Sequence, residues 1–269
     1  KVINSIFSLS ISFKCSLKTS ILIFVEGYLF SSNRWYIKLI TPAFVLILSK
    51  FIPKDLLVDT NSSINTVIMN FLSIDCSTEI SSLFVKFENK TFSKVLQSDK
   101  FINDLMVDYI LDFVKENNLK FEYLDHIFIN QGPGSFSRLR SSLAMAKGIS
   151  LSKKIKLYGY DTFIWSCGKF YNKNNIIIGI IKVREKYFIK KFDKKLNVIL
   201  EVKEVDEKGI IENFHSEFKV IPKNISAQFS QKILKLNNLT IVDLNHKELE
   251  FLYLQGLLNK DLIKPLYLS

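Results

Sequence analysis

With 269 residues, 48% of them hydrophobic and 23% charged, the chain is long enough to bury a core and too apolar to remain disordered. Its formal net charge of +11 suits an anionic partner such as RNA, DNA or a membrane surface, yet no dense Lys/Arg cluster with interleaved aromatics occurs. The runs "KKIK" (153–156) and "KKFDKK" (190–195) read as solvated faces, and a composition rich in Lys, Ile, Asn and Phe accounts for the charge without a dedicated nucleic-acid face.

Cys15, Cys76 and Cys167 are odd in number and far apart, which excludes a disulfide framework and fits a reducing, cytoplasmic compartment. His126, His215 and His246 are equally scattered. With no HxxxH or HExxH pair, two imidazoles never share a helix face, so no metal site is expected from this chain alone.

Residues 1–68 differ from the rest of the chain. The runs "ILIFVEGYLF" (21–30) and "LITPAFVLIL" (39–48) fall short of the roughly 20 apolar residues that span a bilayer, and Glu26, Lys38 and Lys50 interrupt or flank them. The second run also suits an interfacial helix, whereas the order of a signal peptide is only weakly followed. Met69 opens "MNFLSIDCSTEISS", which reads as the start of an α/β protein. The preceding segment is expected to be translated upstream sequence or a disordered extension. Without it, the remaining 201 residues keep a net charge near +7.

"FLSID" (71–75) predicts a buried strand ending at an acid. "SSLFVKF" (81–87) and "TFSKVLQ" (91–97) flank "ENK" and predict a hairpin. From Asp99, a predicted N-cap, to Asn118 the apolar residues Ile102, Leu105, Met106, Tyr109, Ile110, Phe113 and Val114 recur at helical spacing. "LDHIFIN" (124–130) is the next strand, and residues 136–151 the next helix. After "KLYGYDT" the pattern restarts with "IIIGIIKV" (176–183), "KYFIKKF" (186–192) and "LNVILEV" (196–202). The order predicts α/β architecture with mixed sheets in two halves, 69–170 and 171–269.

Two motifs stand at strand ends. Gly132-Pro133-Gly134-Ser135 leads from a strand into a helix, where glycines permit a sharp turn and unpaired N–H groups attract an anion. It is neither GxxxxGK[ST] nor GxGxxG, and a tight turn with Ser135 as N-cap explains it equally well. In "IDCST", Asp75, Ser77 and Thr78 either hold a metal-bound nucleotide or satisfy turn N–H groups.

Taken together, "FLSIDCSTEISSLFV", "GPGSFSRLRSSLAMAKGIS" and the closing "KPLYLS" resemble the TsaB (YeaZ) family, with its Asp-x-Ser-Thr strand end, GPGSFTGLR loop, A-x-AKG helix and P-x-YL segment. The resemblance spans 69–269 and is strongest over 131–148. It implies a two-lobe actin/hexokinase/Hsp70-like (ASKHA) fold, each lobe built on an RNase H-like sheet. It also implies a non-catalytic scaffold subunit of the machinery that forms N6-threonylcarbamoyladenosine at position 37 of ANN-decoding tRNAs. The implied partners are a TsaD-type catalytic subunit, which transfers the group from threonylcarbamoyl-adenylate, and a TsaE-type ATPase; tRNA is reached through the complex. A homodimer when alone is compatible with the resemblance, and no membrane contact is expected.

By the same resemblance, the partner surface draws on residues 99–118 and 136–151, with Phe101, Leu105, Met106, Tyr109, Arg140, Leu143, Ala144 and Lys147 as candidates. The small residues Ser141, Ser142, Ala144, Ala146 and Gly148 permit close helix approach, either to a partner or to their own sheet. Asp75, Ser77, Thr78, Gly132, Gly134 and Ser135 are the candidate anion or nucleotide residues, and the expected cofactor requirement is none beyond weak ATP or ADP binding. Two departures are visible. Ser137-Arg138 replaces Thr-Gly, placing a long cation beside the loop, and "KVREKYFIKKF" keeps Arg184 and Tyr187 of the family's Asp-Ala-Arg-x-x-Glu-Val-Tyr hairpin but begins with Lys182.

The competing reading is an ATP-using small-molecule kinase of the same superfold, although "IIIGIIKV" has no acidic or hydroxyl turn after it. A peptidase would need a metal pair or a serine with a histidine partner, and the sequence displays neither.

Overall fold

The computed structural model describes residues 69–78, 80–96, 102–260 and 263–268, all within the compact unit Val67–Ser269. The expectations placed on residues 1–68, on Asp99 and on Phe101 lie outside the described residues, as does the side chain of Leu105.

Two five-stranded mixed sheets carry the chain. The first contains β1 (Phe71–Asp75), β2 (Ser81–Phe87), β3 (Lys90–Leu96), β4 (His126–Asn130) and β5 (Lys156–Tyr160), in the order β3-β2-β1-β4-β5. β1 pairs antiparallel with β2 and parallel with β4. Being central, β1 is buried on both faces, and its apolar residues Phe71, Leu72 and Ile74 are joined by the buried polar Ser73 and Asp75. Leu72 and Ile74 face one way, into a core with Ile110, Phe113, Ile127 and Leu143. Phe71 faces the other, into a core shared with the second sheet.

Helix α1 (Ile102–Glu116) follows β3 and α2 (Phe136–Lys153) follows β4. Helical spacing predicts 136–151 for the latter, so α2 runs one half-turn further, ending at Lys154 in the left-handed region (φ 55°). A short 3-10 turn (Phe121–Tyr123) occupies the approach to β4, so the strand begins two residues later than predicted.

After α3 (Thr162–Cys167), the second sheet comprises β6 (Ile176–Val183), β7 (Lys186–Asp193), β8 (Val198–Val205), β9 (Phe218–Pro222) and β10 (Leu239–Val242), in the order β10-β9-β6-β7-β8. Read from the other edge, it repeats the first sheet: two antiparallel pairings among its first three strands, then two parallel ones. Its helices α4 (Glu207–Asn213), α5 (Lys223–Ser226), α6 (Gln231–Leu234) and α7 (Glu248–Leu254) are short. Residues 263–268 return to the first sheet, where Leu266 N donates to Gln131 O at 2.7 Å. Among the described residues, no helix is long and apolar enough to cross a membrane.

Candidate functional site

The two predicted motifs meet. β1 delivers Asp75 and β4 delivers Asn130 to the same end of adjacent parallel strands. Asp75 Oδ1 accepts from Ser77 N (3.0 Å), Ser77 Oγ (2.7 Å) and Asn130 Nδ2 (2.9 Å). The same Asn130 amide reaches Thr162 Oγ1 at 3.1 Å, and its Oδ1 accepts from Gly132 N at 2.9 Å. Burial raises the Asp75 pKa above the usual carboxylate range, although the bonds from Ser77 and Asn130 oppose the shift.

The glycines of the loop have a structural reason. Gly132 adopts φ +112°, which only glycine enters freely, and the Gly132–Pro133 bond is cis. At Gly134 an added Cβ would lie 2.7 Å from Ser77 Cα and closer still to its carbonyl oxygen. The loop therefore packs backbone to backbone on the Asp75–Thr78 turn. Arg138 Nη1 donates to Thr78 O at 2.7 Å, tying α2 to that turn. Three groups that could greet an anion, Ser77 N, Gly132 N and the Arg138 guanidinium, are thus engaged inward. Ser135 stands at the N-cap position of α2 without a side-chain capping bond; its hydroxyl lies 3.4 Å from that of Ser137. Thr78 bonds Ile80 O through its hydroxyl.

Several groups of this neighbourhood are not conspicuous in the sequence. Asp161 caps α3 by accepting from Ile164 N (2.8 Å) and pairs with Lys190 of β7 at 2.9 Å, both side chains 12% exposed. Burial works against the Lys190 charge, but Asp161 and Glu201 outweigh it and raise the pKa. Gln131 Nε2 donates to Lys264 O (2.7 Å), and its Oε1 accepts from Asn259 Nδ2 (2.7 Å). Asn130 could have been noticed as a polar residue closing an apolar strand directly before a glycine turn.

The structure also supplies the serine–histidine contact that the sequence concealed. His246 lies 2.8 Å from Ser73 Oγ through Nδ1 and 2.9 Å from Ser82 Oγ through Nε2, between the rings of Phe84 and Trp165. Burial lowers its pKa to about 4. Near neutral pH the ring is therefore uncharged, one nitrogen donating and the other accepting. That makes it a weak base, and a hydroxyl stands where a triad would place a carboxylate. The arrangement is a clasp between the first sheet and the segment ahead of α7, reinforced by Lys86 with Glu250 at 2.6 Å.

The candidate partner residues separate into two groups. Met106 and Leu143 are buried in the chain's own core, at 1% and 3% exposure, and Tyr109 is half-buried. Ser142 and Ala146 likewise face inward. Arg140, Ala144 and Lys147 are exposed, and Gly148 has open space where a side chain would stand. Apolar positions not named from the sequence complete the outer face: Val107 and Leu111 on α1 and Leu151 on α2. Among the described residues, no three His, Cys, Asp or Glu side chains gather as a metal-holding group.

A family model described as TsaD, tRNA N6-adenosine threonylcarbamoyltransferase, matches residues 100–171, the span from α1 through the glycine loop and α2 to α3. No curated protein matches the chain. Among solved structures, YeaZ from Pseudomonas aeruginosa superimposes with a TM-score of 0.56 at 13% identity, covering 74% of this chain and 100% of that one. A second Pseudomonas aeruginosa structure, described as an uncharacterized protein with similarity to peptidase YeaZ, gives 0.56 at 14% identity, covering 75% and 100%. The chain has the two-lobe, actin/hexokinase/Hsp70-type fold of YeaZ, and its first lobe carries a segment matching the TsaD family model.

Proposed function

We propose that the chain acts in tRNA threonylcarbamoyl modification as a non-catalytic subunit that docks a TsaD-type catalytic partner through α1 and α2. The carrying observation is a coincidence of two features. The matched segment 100–171 contains both long helices, and these helices leave apolar side chains uncovered, with Val107 and Leu111 each 47% exposed and Leu151 80% exposed. Ala144 and Gly148, one turn apart on the same exposed face, allow a partner helix to come close. The YeaZ fold supports the assignment.

In this reading, a TsaE-type ATPase and tRNA meet the chain in the assembled complex, threonylcarbamoyl-adenylate is the donor used by the catalytic partner, and the setting is the cytoplasm. The same helical face serves a homodimer when the partner is absent. Nucleotide binding by this chain alone is weak, in keeping with the inward-turned donors of the glycine loop.

Co-expression of the full chain with the TsaD-type subunit of the same organism, followed by size-exclusion chromatography, tests the docking surface. A stable heterodimer is expected, and Leu111→Asp and Leu151→Asp should each abolish it at unchanged melting temperature. Separate elution at micromolar concentration, with the TsaE-type protein and nucleotide present, would refute the reading.

A further inference from the structure

Part of the basic excess is paired, as Lys86 is with Glu250, Lys153 of α2 with Glu122, Lys190 with Asp161 and Lys191 with Glu217. Helix α2 contains Arg138, Arg140, Lys147 and Lys153 and not one acid. Of these, Arg140 and Lys147 are exposed and pair with no carboxylate among the described residues, as is also true of Lys264.

Beside these cations the structure assembles something the linear sequence hides. Phe136, at the start of α2, meets Tyr267, 131 positions along the chain, with ring centroids 4.8 Å apart and an interplanar angle of 31°. Both rings are exposed, at 57% and 44%. The Arg140 guanidinium lies over the Phe136 ring at 5.1 Å. The pair is also held in place: Leu266 N donates to Gln131 O and Gln131 Nε2 to Lys264 O, both at 2.7 Å, so Tyr267 is anchored to the loop from which α2 emerges.

Rigid exposed aromatics next to unpaired cations are the elements from which single-stranded nucleic acid sites are made. A ring accepts the face of any base, and nearby cations follow the phosphates. We infer that Phe136, Tyr267 and Arg140 form a stacking platform for an unpaired RNA base, with Lys264 beside the backbone path. The choice of RNA rests on the tRNA reading above. It gives this subunit a direct contact with the RNA centred on Phe136 at the N-terminal end of α2, about four turns along the same helix from Leu151.

Fluorescence anisotropy with the full chain tests the platform, using a fluorescein-labelled RNA stem-loop with an unpaired loop and a fully paired hairpin of equal length. The stem-loop should bind more tightly than the paired hairpin. Phe136→Ala and Tyr267→Ala should each weaken it about tenfold, as expected for loss of one stacked base, without change in melting temperature. Arg140→Gln should reduce the slope of log affinity against log salt by about 0.7, while Lys208→Gln, on α4, should leave affinity within about twofold.

Equal binding of the two RNAs, or variants that bind like the wild type, would overturn the proposal. So would variants that lose a protein partner while keeping RNA affinity, which would make the patch a protein interface. The two readings can fail separately. If the aromatic variants lose RNA affinity but the chain never joins a TsaD-type subunit, the platform stands and the functional assignment falls. If the complex forms and the variants bind RNA unchanged, only the platform falls.

Discussion

The two sheets share one strand order and one set of pairings, yet they differ where strand one turns into strand two. In the first sheet that turn begins at buried Asp75 and is covered by the glycine loop. In the second it follows Val183, with Lys182 of the strand end pairing with Glu185 of the turn at 3.1 Å, while Arg184 has φ 54°. The helices differ as well: 15 and 18 residues in α1 and α2, against at most seven in those after β8. One architecture thus carries an elaborate turn with uncovered helices in one half and a plain solvated turn in the other. Topology does not decide which half holds the site; the residues at strand ends do.

The sharpest way to break this contrast is to add one carbon in each half. Gly134→Ala should cost about 4 kcal/mol, because its Cβ would overlap the Ser77 backbone and nothing flexible can yield. Gly179→Ala, in central β6, meets Phe163 at 3.2 Å and Cys167 Sγ at 3.4 Å, a tight contact with side chains that can shift, so about 1 kcal/mol is expected. Chemical denaturation of both variants checks the ranking. Equal costs would show that the loop is not seated on the turn.

A second prediction concerns the join between the halves. His246 has a folded pKa of about 4 against an ordinary value near 6.5. The unfolded chain therefore binds more protons between these values, and the clasp's stabilisation is complete above about pH 6.5 and lost as pH falls toward 4. Up to about 3 kcal/mol is at stake over that window. His126, also lowered by burial, acts in the same direction, whereas the raised Asp75 acts oppositely. The comparison with His246→Gln isolates the ring: the variant should be about 2 kcal/mol less stable at pH 7.5, with the gap closing by pH 4.5. A gap that stays constant with pH would contradict the assigned cause.

The smallest effect distinguishes the acidic turn itself. Asp75→Asn keeps an oxygen acceptor for Ser77 and Asn130 and removes a carboxyl that burial disfavours in its charged form. It should stabilise the protein by about 1 kcal/mol at neutral pH, read as a higher melting temperature. Destabilisation of that size would mean that the negative charge is needed where it stands.

The fold was legible where local chemistry is loud. The apolar run 71–75 ending at Asp75, the hairpin around "ENK" and the glycines before α2 all mark their own turns. The contact between Gly134 and Ser77 could be suspected only from the presence of both motifs. What escaped was long-range. His246 reaches Ser73 and Ser82 across more than 160 positions, Lys190 of β7 finds Asp161 ahead of α3, and Tyr267 meets Phe136 near the end of the chain. None of these pairs leaves a periodic or spaced signature. Helical spacing also placed Met106 on an apolar face, and the resemblance named both Met106 and Leu143 as partner candidates, but periodicity alone does not say whether such a face meets the chain's own sheet or a partner. Burial answers that: both are core residues.

The central claim is that this chain enables modification without performing it. The most direct measurement reconstitutes N6-threonylcarbamoyladenosine formation on an ANN-decoding tRNA from the TsaD-type and TsaE-type proteins and threonylcarbamoyl-adenylate, with and without the full chain. The account predicts that modification of adenosine 37 requires the chain and falls at least about tenfold with Leu111→Asp, corresponding to about 1.4 kcal/mol or more of lost coupling. Modification at the same rate in its absence would contradict the account.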